Sequence, residues 1–118
     1  MTPRKTAGKA GEDRAAAWLT ARGFEIIARN YRSPAGEVDI IALDGETIVF
    51  VEVKAWSTYH IDNLDRGIDA RKQRRIIETA KYFLNAHRKY NNRTVRFDVV
   101  FINRDELIHF PSAFMENV

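Results

Sequence analysis

The sequence predicts an α/β fold in which a mixed sheet is flanked by helices, with the elements in the order α-β-β-β-α-β. Three features indicate this class: an alanine-rich segment near the start, two apolar runs on either side of an Asp-Gly pair, and a long amphipathic segment before a β-branched run. Hairpin strands pair antiparallel, whereas a strand–helix–strand crossover returns a parallel neighbour. The sheet is therefore expected to contain both kinds of pairing.

The first half of the chain is expected to form one helix and three strands. Residues 8–22 are rich in alanine and straight-chain side chains and stop before Gly23, which is typical of a helix of about four turns. The turn sequence SPAG at 33–36 separates the first strand from a hairpin, whose Asp-Gly pair is a strong turn signal. The predicted strands cover residues 24–31, 38–43 and 47–53.

The second half is expected to add a long helix and further strands. Residues 55–67 show no periodicity, and a loop of about this length is often functional, so we interpret it as the rim of a site. Asp69 is a plausible N-cap for a helix that runs to about residue 88, because apolar residues recur there at helical spacing. Residues 94–102 read as a strand on which Arg96 and Asp98 form a buried ion pair, and 107–110 as a short last strand.

Length and composition limit the class of protein. The 118 residues suit a single domain, spanning 1–118, because domains commonly run to about 100–150 residues. No apolar run approaches the roughly 20 residues needed to cross a bilayer, and the basic start lacks a secretory signal, so the cytoplasm is the expected location. Without cysteine, any metal must bind oxygen or imidazole ligands. The net charge of +3 suits an anionic partner without establishing one.

Counting along the hairpin predicts a cluster of charged side chains. A two-residue turn at the Asp-Gly pair places Glu37 opposite Glu52 and Asp39 opposite Phe50. One face then carries Glu37, Asp39, Glu52 and Lys54 at the end remote from the turn. The other face is wholly apolar and is expected to be core: Val38, Ile40, Ala42, Val49, Val51 and Val53.

Carboxylates that face one another this closely suggest a bound cation. Acids about 5 Å apart repel unless one takes up a proton or a cation lies between them. Magnesium favours oxygen ligands, commonly one or two carboxylates with water and substrate phosphate, so Mg²⁺ or Mn²⁺ is the expected cofactor. Lys54 would face the same phosphate as a point charge. The alternative is that these strand-end charges are solvated, with Lys54 neutralising Glu52.

Two other segments also favour a site for anions and metal. Glu12 shares a helical stripe with alanine and leucine side chains, so it faces inward, although an acid in a first helical turn would also complement the helix dipole. The second helix opens with four basic residues, where the dipole already attracts anions, although basic residues on a helix are usually solvated. These candidate nucleic-acid contacts are Arg71, Lys72, Arg74 and Arg75.

Several motifs together resemble those of a known family. GEDRAAAWL, RNYRSPAGEVDIIA, VFVEVK, RFDVV and IHF, in this order, resemble the small bacterial YraN-like proteins over nearly the whole chain. That family is similar in fold to the restriction-endonuclease-like superfamily and looks closest to the archaeal Holliday-junction resolvases. The resemblance implies that Asp39 fills the acidic position of a PD-(D/E)XK motif, with Glu52 and Lys54 as its E-x-K element, Glu12 as an accessory acid and metal ligand, and Glu37 assisting.

One residue departs from the family pattern. Trp56 stands two positions after Lys54, where the family usually has arginine. An aromatic side chain at this position would stack on an unpaired base instead of contacting a phosphate.

The resulting hypothesis is a Mg²⁺- or Mn²⁺-dependent endonuclease that hydrolyses phosphodiester bonds in DNA, with branched or junction DNA as the substrate that the resemblance suggests. One alternative is a nucleic-acid-binding module that keeps the fold without useful turnover. Another is a protein-interaction domain whose acids merely decorate the surface. A homodimer would suit symmetric cutting of a junction, but no exposed apolar stripe in the sequence demands one.

Overall fold

The computed structural model describes residues 8–55 and 68–116. It confirms the α/β class and the element order, and β5 is longer than the predicted last strand. No helix among the described residues is long and apolar enough to cross a membrane. The elements are α1 (Gly8–Ala21), β1 (Glu25–Ser33), β2 (Gly36–Asp44), β3 (Thr47–Ala55), α2 (Ala70–Ala86), a short 3-10 helix (Arg88–Tyr90), β4 (Val95–Ile102) and β5 (Leu107–Phe114).

The strands form one mixed sheet in the order β1-β2-β3-β4-β5. β1, β2 and β3 are antiparallel neighbours, and β5 is antiparallel to β4. β3 and β4 pair in parallel, and α2 lies between them in the chain. The predicted combination of hairpin and crossover is therefore confirmed.

Each helix covers one face of this sheet. Leu19 of α1 packs with Val51 and other inward residues of the central strands, which form one buried apolar layer. Phe83 of α2 packs with Phe50 and the residues that alternate with the first set, which form the second layer. Burying one such side chain contributes about 1.5–3 kcal/mol, so the two layers hold the strands that carry the acidic residues in a fixed arrangement.

The turn between β2 and β3 lies one residue beyond its predicted position. Asp44 pairs with Thr47, so the loop consists of Gly45 and Glu46, and the predicted Asp-Gly loop is wrong. Gly45 has a φ of +61°, which glycine adopts readily at the first loop position of a tight hairpin. Asp44 remains in the strand, where its carboxylate accepts a hydrogen bond from Arg96 Nη1 at 2.9 Å.

The displaced turn shifts the hairpin register by two residues. Phe50 pairs with Ile41 and not with Asp39, and the predicted opposition of Glu37 to Glu52 is wrong for the same reason. Because side chains alternate with a period of two, an even shift leaves the facing of each β3 side chain unchanged. Glu52 therefore still lies on the same face of the sheet as Phe50.

The regular alternation of β2 is broken at Asp39. Val38 and Ile41 lie in the layer under α2, whereas Ile40 lies in the layer under α1, so the prediction that Val38 and Ile40 share a face is wrong. Asn30 falls between the β1 residues that pair with Ile40 and Val38, and its φ is +52°. Asparagine tolerates this left-handed conformation better than most residues. Such irregularities redirect side chains at functional sites, and here they lie beside the central acid.

Candidate active site

Asp39 and Glu52 form a pair of buried carboxylates from β2 and β3. Their exposed fractions are 6% and 4%. The charge of Glu52 acts on Asp39, and the backbone N–H of Val53 donates to Asp39 Oδ2 at 2.8 Å. This bond fixes the carboxyl of Asp39 against the strand that carries Glu52.

The pair shifts the protonation of Asp39. Burial is the largest cause that raises the pKa of Asp39, followed by the charge of Glu52; the Val53 N–H opposes the rise, the charge of Glu12 adds to it, and together they bring the pKa to about 8. In the metal-free protein at neutral pH, the Asp39 carboxyl is therefore mainly protonated. A cation held by both groups would favour their charged forms and remove the repulsion.

The pair opens into a small polar cavity of about 90 Å³. This space accommodates a cation with several water molecules. The apolar cavities along β5 are larger, but their lining offers no comparable set of charged groups. The polar cavity is lined by Glu37, Asp39, Glu52, Lys72, Arg75 and Ile76.

Lys72 contacts the acid pair directly. Its Nζ lies 2.9 Å from Glu52 Oε2, and its side chain is 33% exposed. The contact is possible because α2 begins beside the pair, where the predicted N-cap is confirmed: Asp69 accepts a hydrogen bond from the Lys72 backbone N–H at 2.8 Å. Lys72 was expected at a phosphate-binding surface, and the structure places its ammonium on a candidate metal ligand.

The remaining basic residues of α2 differ in how they relate to this cavity. Arg75 is exposed and lines it, whereas Arg71 and Arg74 are exposed outside the lining. Arg74 borders a separate groove with Glu78 and Glu116. Arg75 is therefore the arginine of this group best placed to meet a phosphate at the cavity.

Glu37 lines the cavity, whereas Lys54 is not among the residues that line it. Glu37 forms an ion pair with Arg32, in which Arg32 Nη2 lies 3.6 Å from Glu37 Oε1. Because the Arg32 side chain is 79% exposed, this pair contributes at most about 1 kcal/mol to stability. Lys54 is partly buried near the end of β3, two residues after Glu52. Strand alternation gives these two residues the same face of the sheet. Trp56, expected to contact nucleic acid, lies outside the described residues.

Glu12 approaches the pair from α1. It is 8% exposed, and its Oε1 accepts a hydrogen bond from Asn30 Nδ2 at 2.8 Å. It is the fifth residue of α1, so the alternative that it complements the dipole as a first-turn acid is wrong. In residues 8–55 and 68–116, no three acidic or histidine side chains are arranged around one ion position. The strongest candidate ligand set is therefore Asp39 with Glu52.

Asn30 is the residue of this region that the sequence interpretation missed. It combines a left-handed backbone, a position beside Asp39 in the β1–β2 ladder and a side-chain bond to Glu12. The available signal was an asparagine, a residue depleted in strands, near the end of the predicted first strand. Asn30 therefore positions Glu12 through a hydrogen bond and lies beside the break in side-chain alternation at Asp39.

A second charged cluster lies on the face covered by α1. Asp98 is fully buried and accepts two hydrogen bonds from Arg96, at 2.8 and 2.9 Å, which confirms the predicted buried ion pair. His109 Nε2 lies 2.7 Å from Asp98 Oδ2, and the backbone N–H of Ser112 donates to Oδ1 at 3.0 Å. Burial raises the pKa of Asp98, but the bonds from His109, Arg96 and Ser112 outweigh it and hold that pKa below its usual value. The cluster is saturated with internal partners and is structural.

Comparison with known proteins identifies a family. Residues 11–102 match the model described as Uncharacterised protein family UPF0102. The chain is 45% identical to a UPF0102 protein of Treponema pallidum (strain Nichols), with 97% of this chain and 96% of the relative covered. It is 41% identical to one from Treponema denticola, covering 91% and 93%, and 40% identical to one from Alcanivorax borkumensis, covering 89% and 84%. None of these three names states an activity or a ligand.

Proposed function

The chain belongs to the uncharacterised protein family UPF0102, and from the acid pair at the centre of its fold we propose that it is a metal-dependent nuclease that hydrolyses phosphodiester bonds in DNA. The observation that carries the proposal is the buried pair of Asp39 and Glu52 at a polar cavity, because two adjacent carboxylates can both be charged at low cost only when a cation lies between them. The resemblance of the GEVDII and VFVEVK segments to the restriction-endonuclease-like superfamily supports the same activity. The similarity to junction resolvases favours branched DNA as substrate.

The donor set suits Mg²⁺ or Mn²⁺. Asp39 and Glu52 supply two carboxylates at a polar cavity, and hard divalent cations commonly take one or two carboxylates together with water and substrate phosphate. When bound, such a cation polarises the phosphate and lowers the pKa of a water molecule. Glu12 lies near enough to raise the pKa of Asp39 and, with Asn30, supports the pair from the α1 side.

The protein's own cations would then bind and orient the substrate. Arg75 at the cavity and the N-terminal end of α2 attract a phosphate toward the acid pair. Lys54, on the face of Glu52, would orient the attacking water or stabilise negative charge that builds on the phosphate oxygens. Contacts of this kind position a nucleic-acid backbone without reading its sequence. Cleavage is therefore expected to be independent of the base sequence.

A cleavage panel tests this proposal. Single-stranded, duplex, flap and four-way-junction DNA are incubated with the full chain in Mg²⁺, Mn²⁺ or EDTA, beside Glu52→Gln and the matched control Glu46→Gln. Glu46 lies in the turn of the same hairpin, and its side chain is 96% exposed. We expect metal-dependent cleavage of at least one substrate, reduced about 100- to 1,000-fold in Glu52→Gln and unchanged in Glu46→Gln. Cleavage that survives EDTA or Glu52→Gln, or no cleavage of any substrate, would contradict the proposal.

Lys54→Ala is expected to lower kcat by about two to three powers of ten, because it removes one preorganised charge from the reacting phosphate. Its fold should persist, as judged by circular dichroism. Lys9→Ala, at an exposed position of α1, is the control. An unchanged kcat in a folded Lys54→Ala protein would remove Lys54 from the mechanism.

A nucleic-acid-binding module without turnover is the second candidate. It is favoured by the contact of Lys72 with Glu52, which neutralises one acid without a metal. DNA binding that is insensitive to EDTA, together with an inactive cleavage panel, would select this candidate. Absence of both binding and cleavage would leave an interaction domain.

A further inference from the structure

Lys72 supplies a cation to the acid pair of the metal-free protein. The 2.9 Å contact joins an ammonium that is one-third exposed to a carboxylate that is 4% exposed. A nearly buried carboxylate gains more from a charged hydrogen bond than a solvated one does. The contact therefore belongs to the site itself and not to the general surface charge of α2.

The ammonium can leave this position without movement of α2. The start of the helix is fixed by the Asp69 cap, and its middle is held by a 2.8 Å hydrogen bond between the hydroxyls of Thr79 and Ser33. Lysine carries its charge on a flexible stem of four carbons. Rotation of that stem alone can move Nζ away from Glu52, and the cavity that it leaves is lined by Arg75 as well.

We propose that Lys72 competes with the divalent cation for Glu52 and, once displaced, binds the phosphate of the nucleic acid. This inference rests on the proposed function and adds a regulation of the same site. Metal binding is weakened while nucleic acid is absent, because the cation must replace an existing ion pair. A phosphate that attracts Lys72 strengthens metal binding, and by thermodynamic linkage the metal strengthens phosphate binding equally.

The test is titration of the full chain with Mn²⁺ in the absence of nucleic acid, by calorimetry or by the electron paramagnetic resonance signal of free Mn²⁺. The variants are Lys72→Met, Lys72→Gln and Glu52→Gln, with Arg75→Met as the matched control. Arg75→Met removes one positive charge from the same cavity and leaves the Lys72 contact with Glu52 intact. Circular dichroism verifies folding, and Lys72→Gln replaces Lys72→Met if the latter does not fold.

We expect the Lys72 variants to bind Mn²⁺ about tenfold more tightly than the wild type, the size of effect expected from loss of one charged hydrogen bond to the competing ligand. The change in Arg75→Met should be smaller than about threefold, since exposed charges are screened. If the wild type binds Mn²⁺ and Glu52→Gln does not, but the Lys72 variants bind Mn²⁺ no more tightly than the wild type, this inference is overturned and the proposed function stands. Mn²⁺ binding that is absent from all variants, or unaffected by Glu52→Gln, would overturn both.

Discussion

Replacing Asp98 with alanine is expected to lower the free energy of unfolding by about 3–5 kcal/mol, because it breaks a buried ion pair from one side. The Arg96 guanidinium and the Ser112 backbone N–H would lose their shared acceptor. Ser112 has a φ of +54°, which is unfavourable for a residue other than glycine, and its bond to Asp98 helps to hold this conformation. Urea unfolding followed by circular dichroism at pH 7 measures the loss.

Asp105→Ala is the matched control for Asp98→Ala. Asp105 is exposed in the loop between β4 and β5, so its replacement should change stability by less than about 0.5 kcal/mol. The folded pKa of Asp98 is lowered, so its contribution is present above its unfolded pKa and is lost as the pH falls through the folded pKa. The difference between wild type and Asp98→Ala should therefore shrink in acid. A loss below about 1 kcal/mol at pH 7 would show that the cluster is not a structural anchor.

Asp39→Asn is expected to raise the free energy of unfolding of the metal-free protein by about 2–4 kcal/mol at pH 8 and by much less at pH 4. This gain is smaller than the upper limit set by the difference between the folded and unfolded pKa values of Asp39. The folded pKa of Asp39 is raised to about 8 from an ordinary value of 3.8. Folding therefore loses stability as the pH rises between these values, because the unfolded chain releases the proton first. Asparagine carries no charge and abolishes that loss, and its side-chain oxygen still accepts from the Val53 N–H.

Urea unfolding in EDTA at pH 4, 6 and 8 measures this gain, with Asp105→Asn as the control. Saturating Mn²⁺ should stabilise the wild type and not Asp39→Asn, since only the wild-type folded state binds the ion. Parallel pH dependences of wild type and Asp39→Asn would refute the raised pKa. Stabilisation of both by Mn²⁺ would place the ion elsewhere.

Much of the fold and the acid pair follow from periodicity. The alternation of apolar side chains in β3 requires Glu52 to face away from Val51 and Val53, whichever residues form the turn. The two-residue error in the hairpin register therefore left Glu52 on the correct face. The helical spacing of Ile76, Ala80 and the residues around them likewise places α2 over the sheet.

The finer geometry depends on contacts that no local pattern encodes. The break in side-chain alternation at Asp39 lies beside the left-handed Asn30 of the neighbouring strand, and Glu12 of a separate helix bonds to Asn30. The contact of Lys72 with Glu52 depends on where the first turn of α2 packs against the sheet. The sequence predicted that this end of the helix is basic, but it did not predict which acid Lys72 contacts. The pairing of β5 with β4 is irregular between Phe110 and Phe114, and there the Ser112 backbone N–H donates to Asp98, a contact that sequence does not show.

An anomalous difference map from crystals of the full chain soaked in Mn²⁺ tests the metal site most directly. We predict one peak at bonding distance from the carboxylate oxygens of both Asp39 and Glu52, with Lys72 Nζ moved away from Glu52. A map with no peak between these carboxylates, while Lys72 keeps its contact with Glu52, would contradict a cation site in this fold.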